Sequence, residues 1–306
     1  MSCILITHPD CLDHQPAAGH PERPERLSYL LDHLRESGML ADLDTRTAHP
    51  ANRRELERVH STALVDALFD ASPRTGLIAL DPDTQMSPGS LDAALLAAGA
   101  VNDAVELVLA RSNGRAFCAV RPPGHHAERA TAMGFCLFNS IAVGAASALR
   151  HVGVERVAIL DFDVHHGNGS VDIFKDTPEV LVCSSFQHPF YPGRLHDVSR
   201  PNIVNTPLPA GTGGHAFRRA IERDWLPALE RHQPDLILVS AGFDGHRDDP
   251  IGGFELDDDD FAWVSELIVA EASSHCDGRI VSVLEGGYDL SALARATARH
   301  LDVLNR

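Results

Sequence analysis

Several short apolar runs in this chain stop abruptly at polar clusters, most sharply at Arg156-Val157-Ala158-Ile159-Leu160-Asp161-Phe162-Asp163-Val164-His165-His166-Gly167-Asn168. A β-branched and aliphatic run without polar alternation suits a strand covered on both faces, as in a parallel sheet, and such strands deliver polar groups at their carboxyl edge. Further strand-like runs fall at Cys3 to Thr7, Ala116 to Val120, Val180 to Cys183, Leu236 to Ser240 and Ile280 to Leu284. Helical patterns separate them at Pro24 to Glu36, Ser90 to Ala110, Asn139 to Arg150, Ala216 to Glu230 and Asp257 to Ala272. This alternation predicts an α/β fold with a mainly parallel central sheet and helices on both faces. No linker, repeat or low-complexity run divides the 306 residues, so one domain over 1–306 is expected.

Side chains two apart on an extended backbone share a face, which predicts that Asp161, Asp163 and His165 converge. Carboxylates and an imidazole suit a borderline ion such as Zn²⁺, Fe²⁺ or Co²⁺, although Asp residues at a strand end also cap helices. The run Leu236 to Ala241 leads to Gly242-Phe243-Asp244, and Asp244 is a third candidate ligand, or else a solvent-facing turn residue. Three protein ligands leave a position open, as in catalytic metal sites.

Two other runs add reactive groups. Ala116 to Val120 leads to Arg121-Pro122-Pro123-Gly124-His125-His126, where prolines and a glycine fix the backbone that presents two imidazoles. Adjacent histidines suit proton carriage beside a bound water more than joint chelation, and a surface pair is the alternative. Arg279 to Leu284 leads to Glu285-Gly286-Gly287-Tyr288, where glycines permit close backbone approach and the phenol can donate to an oxyanion. Taken alone, Gly-Gly-Tyr also reads as an ordinary turn.

These motifs, with Gly-Phe-Cys-Leu-Phe-Asn at 134 to 139 and Ser-Ala-Gly-Phe-Asp at 240 to 244, resemble the zinc-dependent histone deacetylase family in order and spacing. The run Gly-His-His-Ala-Glu and Asn168 resemble its class II and bacterial deacetylase-like branch, within a superfamily that includes acetylpolyamine amidohydrolases. The resemblance implies an arginase/deacetylase-like fold and a metal-dependent deacetylase that hydrolyses a linear N-acyl amide. It places Asp163, His165 and Asp244 on the metal, His126 as general base and acid, and His125, paired with Asp161, as an electrostatic partner. Tyr288 becomes the oxyanion donor. Asn168 stands where class I members have Asp, and a neutral amide leaves His126 less basic than a carboxylate would.

Resemblance further places Gly134, Phe135, Tyr191, Gly287 and Ile251 around the substrate and Asp83 at the rim, with Asp81 a second rim candidate. Asp-Pro-Asp at 81 to 83 is also a common turn. Arg26 falls along an internal channel for leaving acetate, or at a solvated helix end. Structural K⁺ sites fall on Asp161, Asp163, His165 and Ser184, and near Phe174, Thr177, Val180 and Asn202. The implied substrates are acyl-lysine in peptides or proteins, or an acetylated amine. Family members specialised for polyamines resemble one another in an acidic residue at the position of Ile251, although Asp248 and Asp249 flank this site. A metal-retaining binding module without turnover is the non-enzyme alternative.

A formal charge of −17 argues against extended contact with nucleic-acid phosphate. Six cysteines show no Cys-x-x-Cys pair or disulfide framework, consistent with reduced thiols. The chain opens on a strand instead of a basic and apolar leader, and no apolar run is long enough to cross a bilayer. A cytoplasmic protein without membrane contact is expected, and its oligomeric state is not legible.

Overall fold

In the computed structural model, which describes residues 2–306, the expected strands form the middle of a larger sheet. The strands are β1 (Ile4–Thr7), β2 (Asp44–Thr47), β3 (Ile78–Ala79), β4 (Gln85–Met86), β5 (Arg115–Cys118), β6 (Val157–Asp161), β7 (Val180–Gln187), β8 (Ile203–Leu208), β9 (Leu236–Ala241) and β10 (Ile280–Leu284). β3 and β4 make a small antiparallel ribbon, and the others form one eight-stranded sheet in the order β2-β1-β5-β10-β9-β6-β7-β8. All its neighbouring pairs are parallel. The helices are α1 (Glu25–Glu36), α2 (Arg53–Leu56), α3 (Thr62–Ala71), α4 (Ser90–Leu109), α5 (Ser140–Ala148), α6 (Asn168–Phe174), α7 (Gly214–His232), α8 (Asp258–His275) and α9 (Leu290–Leu304).

Every residue of β5, β6, β7, β9 and β10 is buried, which explains their near-continuous apolar sequences. Two groups of helices cover the sheet, α4 with α5, and α1 with α9, α8 and α7. The outermost strands escape the apolar pattern. β2 reads Asp-Thr-Arg-Thr and is mostly exposed, while β8 carries Pro207 at an edge with no strand beyond it. Edges need no two-sided apolar cover and tolerate proline. α3 and α9 add to the expected helices, each opened by a side-chain cap, Ser61 to the Leu64 N–H and Asp289 to the Ala292 N–H. Asp257 caps α8 in a reciprocal pair with Asp260.

One polar cluster inside this core is closed by its own partners. His300 of α9 lies 2.6 Å from Ser265 Oγ of α8 and 2.9 Å from Ser282 Oγ of β10, and burial pushes its pKa down to about 3, so the ring stays neutral. Because β5, β10, β9 and β6 are neighbours running the same way, the loops after all four meet at one edge. Among the described residues, no helix is long and apolar enough to cross a membrane.

Candidate active site

Asp163, His165 and Asp244 meet at that edge. His165 Nδ1 lies 3.0 Å from Asp163 Oδ1 and 3.1 Å from Asp244 Oδ2, and one donor atom from each of the three residues falls within a 4.8 Å cluster. Backbone N–H groups aim the carboxylates: His165 N and Gly286 N donate to Asp163 at 2.8 and 2.9 Å, and Val164 N donates to Asp244 at 2.9 Å. A Cβ at Gly242 would strike the Asp163 carboxylate, and one at Gly286 would strike Asp163 and Asp244, so glycine is required at both. Burial and then the charge of Asp163 push Asp244 up to about 7, while His165 rises against burial to about 10 because Asp244 and Asp163 face it. Two buried carboxylates on one imidazole leave negative charge for a divalent cation to neutralise, and the mixed N and O donors fit a borderline ion.

Asp161 does not join this cluster, contrary to the alternation argument. β6 ends at Asp161, beyond which side-chain alternation no longer holds, and its Oδ2 lies 2.9 Å from His125 Nδ1 instead. Burial opposes charge on His125, but Asp161 and Asp163 outweigh it and hold its pKa well above the ordinary imidazole value. His126 sits 4.1 Å away between ring centroids in a different environment. Its Nδ1 is 2.6 Å from Asn168 Oδ1, and burial plus the charges of His125 and His165 hold its pKa well below the ordinary value. Adjacent imidazoles are thus driven apart, one toward cation and one toward free base.

Above these groups is a cavity of about 210 Å³ lined by Asp83, His126, Gly134, Phe135, His165, Phe190, Tyr191, Ile251 and Tyr288. Gly134 and Phe135 both take left-handed backbone, φ 60 and 66, in a tight turn closed between Met133 and Cys136. A Cβ at Gly134 would collide with the His126 ring, so this turn lies directly against the imidazole. Phe135 N donates to Thr84 Oγ1 at 3.1 Å, linking the turn to Asp83. Asp81 accepts from the N–H groups of Asp83 and Thr84 and is the turn former, leaving Asp83 as the carboxylate on the cavity.

Two of the expected positions differ. Gly287 does not line the cavity; its carbonyl accepts from Arg26 Nε at 2.6 Å. Arg26 is buried, not solvated, with Nη2 2.5 Å from Glu285 O and its guanidinium 4.8 Å over the Tyr288 ring. The carbonyls of Phe174, Thr177 and Val180 converge on Asn202 Nδ2 at 2.8, 3.0 and 2.9 Å, so the four residues that resemblance assigns to the second potassium site lie together. Ser184 Oγ accepts from Gly167 N at 3.1 Å beside the start of α6. Asp249 is turned inward, accepting from Tyr288 N at 2.6 Å and Ile251 N at 2.9 Å, and so offers no free charge at the rim.

Asp249 is therefore a functional residue of another kind, a brace for the tyrosine. Glu285 is similar, accepting from Gly124 N and His125 N at 2.7 and 3.1 Å, with burial pushing it up to about 7. Glu22 accepts from Arg121 at 2.6 and 2.7 Å and from Arg26 at 3.2 Å, anchoring the histidine loop to α1. Phe190 stacks on His165 with ring centroids 5.2 Å apart. The position of Glu285 directly after a buried strand was the available signal for it; nothing local marks Glu22 or Asp249.

The chain matches the histone deacetylase domain family over residues 20–304. It is 38% identical over 294 residues to a probable deacetylase of Archaeoglobus fulgidus, spanning 94% of this chain and 81% of that one. It is 41% identical over 279 residues to a histone deacetylase-like amidohydrolase of Pseudomonas aeruginosa, spanning 89% and 73%. The crystal structure of an HDA15 HD domain superposes with a TM-score of 0.91 at 33% identity, covering 99% of this chain and 88% of that one. The fold, the order of the motifs and these relatives agree: the chain belongs to the histone deacetylase family.

Proposed function

We propose that this chain is a metal-dependent deacylase of acyl-lysine in peptides or proteins, acting in the cytoplasm. The observation that carries the reading is the aromatic-walled cavity, which reaches His126, Tyr288 and His165 of the carboxylate cluster together. Its walls, Phe135, Phe190 and Tyr191, suit the slender aliphatic stem of an acylated lysine, and Asp83 is an acceptor for a peptide N–H at the cavity. Asp163, His165 and Asp244 would hold the ion, zinc by family resemblance, with iron or cobalt compatible with the same donors. Such an ion supplies Lewis acidity toward the amide oxygen and lowers the pKa of a water.

The protein's own groups do the rest. Asn168 Oδ1 fixes the His126 proton on Nδ1, leaving Nε2 as the lone-pair nitrogen to take a proton from water and return it to the leaving amine. His125 and Asp161 form the electrostatic partner beside it. Burial holds the Tyr288 phenol well above its ordinary pKa, so it stays protonated to donate to the tetrahedral oxyanion. Asp249 and Arg26 keep that tyrosine in place. The products are a carboxylate and a free amine.

Asp83 also favours a second reading, since a carboxylate on the cavity attracts an ammonium as well as a peptide N–H. Ile251 at the same cavity, and Asp249 turned away, weigh for the peptide. Matched hydrolysis of acetyl-lysine peptide, trifluoroacetyl-lysine peptide, acetylputrescine and acetylspermidine separates the two. The peptides are expected to have the higher kcat/KM, and Tyr288→Phe to lower kcat by about 10²–10³-fold at similar KM. A preference for the acetylated polyamines would transfer the function to small-molecule deacetylation.

A further inference from the structure

Glu128 closes the run Gly124-His125-His126-Ala127-Glu128, is only 4% exposed, and has no part in the steps above. Its two oxygens face different partners. Oε1 accepts from Asn168 Nδ2 at 2.7 Å, and Oε2 lies 3.0 Å from Arg194 Nη2. Asn168 Oδ1 accepts from His126 Nδ1 at 2.6 Å. Arg194 follows Tyr191 by three residues, and the Tyr191 ring stands edge-on to His126 at 5.1 Å between centroids. A line of polar contacts, one ion pair and two hydrogen bonds, thus runs from the cavity-wall loop through Arg194, Glu128 and Asn168 to His126.

An amide has two ends of nearly equal size, one an acceptor and one a double donor. With its NH₂ toward His126, Asn168 would make Nδ1 the acceptor and move the ring proton to Nε2, the nitrogen that must carry a lone pair. A carboxylate only accepts, so Glu128 beside Nδ2 admits the productive orientation and opposes the other. The His126 carbonyl, 3.3 Å from the same Nδ2, and Met133 Sδ at 3.4 Å are weaker, neutral acceptors.

We infer that Glu128 is a positioning residue for the general base: it sets the orientation of the Asn168 amide and through it the tautomer of His126, and Arg194 ties this setting to the loop that walls the cavity. The inference rests on His126 being the base.

The test is steady-state kinetics on an acetyl-lysine peptide, with metal content and melting temperature recorded for each variant. Glu128→Ala is expected to lower kcat by about 10–100-fold with KM within about twofold. Glu128→Gln, whose carbonyl still accepts from Asn168 Nδ2, is expected to recover most of that loss. In an Asn168→Asp background a carboxylate has no unproductive orientation, so Glu128→Ala there is expected to cost less than about twofold, or to raise kcat by removing a like charge. A merely structural Glu128 would cost the same in both backgrounds, and that result, or full kcat in Glu128→Ala, overturns the inference. If Glu128→Ala does not fold, half-exposed Arg194 carries the test: Arg194→Ala is expected to lower kcat about threefold at unchanged KM, and unchanged kcat overturns the inference. A wild-type protein that hydrolyses no acyl-lysine peptide, or a His126→Ala variant at full rate, refutes the underlying reading instead.

Discussion

Asp244→Asn is expected to remove the bound divalent ion and to lower kcat/KM for an acyl-lysine peptide by about 10⁴-fold, equivalent to about 5 kcal/mol of transition-state stabilisation. The substitution is close to isosteric. Its carbonyl keeps the 2.9 Å bond from Val164 N, so the loop after β9 retains its anchor. Its NH₂ points where Asp244 Oδ2 faced His165, replacing a carboxylate donor by a group with no lone pair for a cation. Metal analysis beside the kinetics checks the cause: the variant is expected to hold far less than one ion per chain while unfolding as a single cooperative unit. Near-wild-type activity with the ion absent would remove Asp244 from the chemistry.

His126→Ala carries the second large effect, a fall in kcat of about 10³-fold with the ion retained, since His126 is not in the ligand cluster. The pH dependence tells it apart from its neighbour. Burial and the charges of His125 and His165 hold His126 below the ordinary imidazole pKa, so it is neutral at pH 7 and activity is lost only as pH falls through its lowered pKa. The acid limb of kcat/KM is therefore expected below about pH 6.5. Asn168→Asp places a carboxylate against Nδ1 and is expected to move that limb upward. An unchanged limb would show that Asn168 does not set the basicity of His126.

The parts of this molecule that the sequence displays are those where one environment acts along a whole segment. Val157 to Leu160 reads as a buried strand because both its faces are covered, and the same holds for β5, β9 and β10. The Asp163, His165 and Asp244 cluster was legible because polar groups clustered after such strands have few other uses, and the structure brings all three together. What stayed hidden depends on partners far along the chain. β8 is an edge with no apolar signature, and Asp249 is a brace only because Tyr288 N lies 2.6 Å away, 39 residues later in sequence. Asp161 shows the limit of periodic reasoning: its spacing from Asp163 implies a common face, yet the strand ends there and its carboxylate turns to His125.

The most direct test of the account is a titration of activity against bound metal. Protein stripped by chelation and reloaded with zinc, and separately with iron, is assayed for acetate release from an acetyl-lysine peptide as its metal content is measured. The account requires activity to rise in proportion to bound ion and to level off at about one per chain, as a single cluster of three ligands implies. Undiminished hydrolysis by the stripped protein, or a fully loaded protein that releases acetate from no N-acetyl amide, would contradict it.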